Sequence, residues 1–177
     1  MNDWTTIDAY GVLTEPTTVK IQRLLPGPAD RVWAYLTESD KRRQWLAAGD
    51  MDLTVGAPFT LTWRNDELMD EPGQSPDGMG GEHSMDSRIT ELDPPNRISF
   101  AWSNSGDVTF ELESRGDEVL LTIIHRRLPS RDMLVKVAAG WHAHVDVLEA
   151  KIASVAPRPF WSNWQDLRDE YERRIPA

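Results

Sequence analysis

From residue 130 to residue 155 the chain carries one unbroken helical period. Leu134, Val137, Ala138, Trp141, Val145, Leu148, Ile152 and Val155 recur at three- and four-residue spacing. At the usual rise per residue such a helix is about 40 Å long. An apolar stripe of that length has to be covered by something equally extended, and the preceding sequence supplies it. Phe59, Leu61 and Trp63 alternate with Thr60, Thr62 and Arg64, the pattern of a half-buried strand. The alternation returns with His83, Met85, Ser87 and Ile89, then with Ile98, Phe100 and Trp102. It returns again with Val108, Phe110 and Leu112, and with Val119, Leu121, Ile123 and His125. Turns at 93–96, 103–106 and 115–117 separate the later runs. Connections that short join antiparallel neighbours, because parallel strands need long crossovers. The expected fold class is α+β, a curved antiparallel sheet wrapped around a long C-terminal helix.

The flanks are less regular. Residues 1–16 show no period and read as an N-terminal arm, with Trp4 and Ile7 as candidates to dock. Thr18, Val19 and Ile21 favour a strand that Pro26-Gly27-Pro28 ends. Val32, Trp33 and Leu36 share one face of a short helix, and a second is expected through Leu46, with Lys41-Arg42-Arg43 on a solvated side. Residues 65–81 read as a long mobile loop whose acids, Asp66, Glu67, Asp70, Glu71 and Asp77, form a solvated rim. Pro157 and Pro159 end the long helix. Beyond them Phe160, Trp164, Leu167 and Tyr171 make a stripe that docks on the domain or on a second copy, which would give a homodimer. The expected organisation is an arm at 1–16, a domain at 17–156 and a helical extension at 157–177.

Charge and motif content exclude several functions. Nineteen basic residues stand against 29 acidic ones, a net charge of −10, and no basic patch offsets that repulsion of nucleic acid. There is no cysteine, hence no disulfide or thiolate metal site. No apolar run approaches the roughly 20 residues that span a bilayer. The start of the chain lacks the features of a secretory signal, so a cytoplasmic location is expected. Gly78-Met79-Gly80-Gly81 has no following P-loop lysine, and no Gly-x-Ser-x-Gly elbow occurs. His142 and His144, two apart on a helix, point to different sides and do not share a metal. No catalytic residue, cofactor or metal is assigned.

One strand, two short helices, an antiparallel meander and a long helix, in that order, resemble the helix-grip fold of the START and birch-pollen-allergen superfamily, SRPBCC. Four groups of segments resemble its branch named after the activator of the ninety-kilodalton heat-shock protein ATPase. They are Pro28-Ala29-Asp30-Arg31-Val32-Trp33-Ala34-Tyr35-Leu36-Thr37 with Trp45-Leu46; residues 89–98, with Asp93-Pro94-Pro95-Asn96, running into Trp102; residues 108–113 with 121–123 and His125; and Gly140-Trp141. The resemblance implies a cavity between sheet and helix that holds a small apolar or aromatic molecule. The candidate ligand-binding residues are Trp45, Trp63, His83, Phe100, Trp102, Phe110, Ile123, His125 and Trp141, with His125 as the polar anchor. The same residues could instead simply fill a core. The resemblance also implies two alternatives, a co-chaperone stimulating a chaperone ATPase and an enzyme of the polyketide cyclase or aromatase kind.

Overall fold

The computed structural model describes residues 9–76, 78–102 and 106–176. Trp4, Ile7, Asp77 and residues 103–105 of the expected turn at 103–106 lie outside the described residues. The strands are β1 (Val12–Glu15), β2 (Thr18–Pro26), β3 (Pro58–Arg64), β4 (Glu82–Asp93), β5 (Arg97–Ala101), β6 (Asp107–Arg115) and β7 (Glu118–Arg126). They form a sheet in the order β1-β2-β7-β6-β5-β4-β3, with every neighbouring pair antiparallel. The pairing of β2 with β7 brings the start of the domain beside the strand that leads into the long helix. The chain then crosses from β2 to the far edge at β3 through α1 (Ala29–Thr37) and α2 (Ser39–Arg42).

The long helix is α3 (Arg131–Ala153). The Ser130 hydroxyl accepts from the Met133 N–H at its start, and Ser154 ends it in a left-handed conformation with φ of 58°. Its 23 residues make it about 35 Å long. Trp141 on α3 meets Phe110 on β6 with ring centres 5.7 Å apart. Arg23 on β2 reaches up to Asp146 and Glu149 of α3 at 2.8 and 2.7 Å. The helix therefore lies on the face that buries Val19, Ile21, Phe110 and Ile123, and the architecture is the helix-grip fold.

The structure departs from the sequence expectations on each flank. The expected arm contains β1, which pairs with β2 through a tight turn at 16–17 and forms one sheet edge. The second short helix stops at Arg42 rather than reaching Leu46, and Arg42 is not solvated. Its guanidinium is fully buried. Nε donates to the Ala47 carbonyl at 3.1 Å, Nη1 to those of Thr37 at 3.1 Å and Leu36 at 3.4 Å, and Nη2 to that of Gly49. A periodicity argument assigns a charged side chain to solvent by default. It has no term for four carbonyls left over where two short helices meet. Gly49 completes this corner at a φ of 144°, where any Cβ would collide with the Thr60 carbonyl.

The tail forms α4 (Phe160–Arg174) and docks on its own domain, burying Phe160, Trp164, Leu167 and Tyr171. Its last carbonyls are capped by Arg131, which donates to the backbone of Glu172 and Ile175 at 2.8 and 2.9 Å.

Replacing Arg42 with Met keeps most of the volume and leaves the corner carbonyls without a donor. Unmet buried polar groups cost about 1–3 kcal/mol each. Urea denaturation of Arg42→Met should show a loss of about 3 kcal/mol or more; a loss below about 1 kcal/mol would mean that water replaces the guanidinium freely.

Candidate functional site

A curved sheet and a straight helix touch along part of their length and diverge elsewhere. Where they diverge lies a cavity of about 370 Å³. Its sheet wall is Trp63 of β3, His83 and Met85 of β4, and Trp102 just after β5. Its α3 wall is Lys136, Val137, Gly140, Trp141 and His144. The third side is α4, through Phe160, Trp161 and Trp164. Leu46 and the loop residues Asn65, Gly78 and Met79 close the remainder.

The aromatic walls hold one another edge-on. Trp102 lies 5.5 Å from Trp63 and 5.6 Å from Trp141, and Phe160 lies 4.9 Å from Trp161, between ring centres. Two indole N–H groups are already committed. Trp141 Nε1 donates to His125 Nδ1 at 3.1 Å, and Trp161 Nε1 donates to Asp66 Oδ1 at 2.7 Å. Asp66 also accepts from the Gly81 N–H at 2.8 Å. Those two donors hold its carboxyl below the usual aspartate range. Asp66 is thus an anchor for Trp161 while remaining exposed at the rim.

The loop at 65–81 is likewise docked, not merely extended into solvent. The Pro72 carbonyl accepts from the Trp161 N–H at 2.7 Å, one of the donors that a helix start leaves open. Gln165 donates to the Gln74 carbonyl at 3.2 Å.

Of the residues singled out in the sequence, Trp63, His83, Trp102 and Trp141 stand on the cavity wall. Trp45, Phe100, Phe110, Ile123 and His125 do not; all five are essentially inaccessible and fill the adjoining core. His125 stands off the cavity wall: its Nδ1 accepts from the Trp141 indole, and its Nε2 is buried without a partner among the described residues. Alternation along β7 aims the imidazole inward correctly, but it cannot say which inward residue faces space and which faces another side chain. Trp45 acts one step removed: its carbonyl takes the Nδ1–H of the wall residue His144 at 2.7 Å.

Sequence reasoning missed the α4 wall, the loop wall and His144. The signal for α4 was present in the stripe from Phe160 to Tyr171. A second signal was Gly140, a glycine in mid-helix beside Trp141. Two of the three buried imidazoles share one electrostatic property. Burial pushes both His125 and His144 down to about 4. His142 and His144 point apart, the former to Tyr171 and the latter to Trp45. No cluster of three or more metal-ligating side chains occurs among the described residues, and no helix there is long and apolar enough to cross a membrane.

Comparison with known proteins follows the same lines. The family model described as Activator of Hsp90 ATPase homolog 1-like protein matches residues 26–153. The solved structure of the protein encoded by gene BPP1335 from Bordetella parapertussis is similar to this chain at 32% identity and a TM-score of 0.79. The likeness covers 97% of this chain and 93% of that one. CalU16 from Micromonospora echinospora is similar at 21% identity and a TM-score of 0.62, over 88% of this chain and 86% of its own. DynU16, a protein in the dynemicin biosynthetic locus, is similar at 19% identity and a TM-score of 0.62, over 80% of this chain and 49% of its own. The last two likenesses are of fold. No curated protein matches the chain.

His125 and His144 set an acid limit. Unfolded, each takes a proton near pH 6.5; folded, each stays neutral to about pH 4. Between those values the unfolded chain binds more protons, so stability is full above about pH 6.5 and falls as pH drops toward 4. His125→Gln keeps an acceptor for Trp141 and removes one titration. The stability lost between pH 7 and pH 5, measured by urea denaturation, should shrink by about 2 kcal/mol in this variant. An unchanged loss would contradict a buried, neutral His125.

Proposed function

We propose, from the premise that the chain belongs to the activator of Hsp90 ATPase homolog 1-like family, that it binds a small, largely apolar aromatic molecule in the cavity between sheet, α3 and α4. The observation that carries this reading is Gly140. It lies inside α3 with ordinary helical geometry, so the backbone does not require glycine. Packing does not require it either, since a Cβ there meets no atom closer than Trp164 Nε1 at 4.0 Å. A mid-helix glycine costs about 1 kcal/mol relative to alanine. The cost leaves space open in front of five indole rings. Flat indole faces suit an aromatic guest, and the volume falls within the roughly 300–1,000 Å³ of small-molecule sites.

DynU16 comes from a biosynthetic locus, which agrees with a small molecule as occupant. In this reading residues 17–156 form the ligand-holding unit and residues 157–177 contribute one of its walls. No group in the site is assigned a chemical step.

The test uses N-phenyl-1-naphthylamine, whose emission rises in apolar surroundings. Wild-type protein should enhance it saturably. Gly140→Leu fills the space and adds a better helix former, so it should abolish the enhancement while leaving the melting temperature unchanged or higher. Enhancement that survives in a folded Gly140→Leu protein, or none in the wild type, would refute the proposal.

A further inference from the structure

Two polar groups face the cavity within one turn of α3, and they differ in kind. The first is His144. Its Nδ1 is 2.7 Å from the Trp45 carbonyl, which only accepts, so Nδ1 carries the proton. Nε2 of a neutral imidazole is then a bare lone pair. Nε2 has no hydrogen-bond partner among the described residues, and it is not one of the atoms sealed from any accessible space. His144 is otherwise buried, and the space it reaches is the cavity. The second group is Trp164 Nε1–H, which stands 4.0 Å from the point where a Cβ on Gly140 would lie. It too has no hydrogen-bond partner among the described residues and is not a sealed atom. Gly140 and His144 are four residues apart, and therefore stacked on one face of α3.

The wall thus offers an acceptor beside a donor. A hydroxyl both donates and accepts through a single oxygen, whereas an ether, a carbonyl or a carboxylate only accepts and has nothing to give His144 Nε2. We infer that the cavity selects hydroxylated aromatics, the phenol donating to His144 Nε2 and accepting from Trp164 Nε1–H. This inference rests on the cavity being the binding site. The imidazole stays neutral and able to accept at any pH well above 4.

The experiment compares naphthalene, 2-methoxynaphthalene and 2-naphthol as ligands by tryptophan quenching at pH 7. The wild type should bind 2-naphthol at least tenfold more tightly than 2-methoxynaphthalene. His144→Asn retains a donor for the Trp45 carbonyl and removes the cavity-facing lone pair. In that variant the preference should fall to about twofold or less, with 2-methoxynaphthalene binding unchanged. In wild-type protein, nitrogen NMR of the imidazoles gives a check that needs no variant: 2-naphthol should move the His144 Nε2 resonance and leave Nδ1 in place. Equal affinity for naphthol and its methyl ether, or a still Nε2 resonance, overturns the inference while leaving the cavity reading intact. If none of the three ligands binds, the cavity reading fails and takes this one with it.

Discussion

The hydrogen bond from Trp141 Nε1 to His125 Nδ1 divides the interior in two. On one side the sheet and α3 are in full contact, and Phe100, Phe110, Ile123 and Trp45 fill the space. On the other side the helix runs on past a curving sheet, and Gly140 puts no side chain into the gap. The indole is held by its donor at the boundary, so it cannot swing across to close the cavity without stranding a polar atom on each partner, about 1–3 kcal/mol apiece. Holding it has a cost of its own. With Nδ1 as acceptor, the imidazole proton sits on Nε2, which is buried without a partner among the described residues. The ring stays neutral there because burial disfavours its charged form.

The same boundary explains the role of α4. A sheet and one helix leave the diverging end open, and an open aromatic surface would be sticky. The chain closes it with its own tail. Three ties fix α4 in place: Asp66 accepts a hydrogen bond from the Trp161 indole N–H, Arg131 caps the last turn, and Tyr171 reaches the opposite sheet edge. At that edge the Tyr171 hydroxyl accepts from the Gly11 N–H at 2.6 Å and lies 2.8 Å from His142 Nδ1. Beneath them Asp146 is shared by Arg23 of β2 and Asn163 of α4. The cavity wall built by Trp161 and Trp164 is therefore secured by polar contacts that lie outside the cavity.

Much of this was legible in the sequence, for a physical reason. Alternation from Phe59 to His125 and the stripe from Leu134 to Ile152 are periodic signals, and burying them admits few arrangements. Trp63, Trp102 and Trp141 could be placed near a shared space on that basis. Arg42 could not be placed, because its burial depends on carbonyls from residues 36, 37, 47 and 49 converging in space. His125 was aimed correctly and assigned the wrong neighbour. His144 was discounted for its spacing to His142, a test that addresses metals and not hydrogen bonds. The docking of the loop at 65–81 depends on backbone carbonyls at Pro72 and Gln74, which carry no residue-type signature.

The claim that matters most is that one space is bounded at once by the sheet, α3 and α4. It is tested most directly by magnetisation transfer from a bound aromatic to assigned indole protons. Naphthalene in the full chain should give intermolecular NOEs to Trp102 on the sheet side, Trp141 on α3 and Trp164 on α4 together. NOEs confined to exposed residues such as Val12, Val55 or Val155, or to α4 without the sheet, would contradict it.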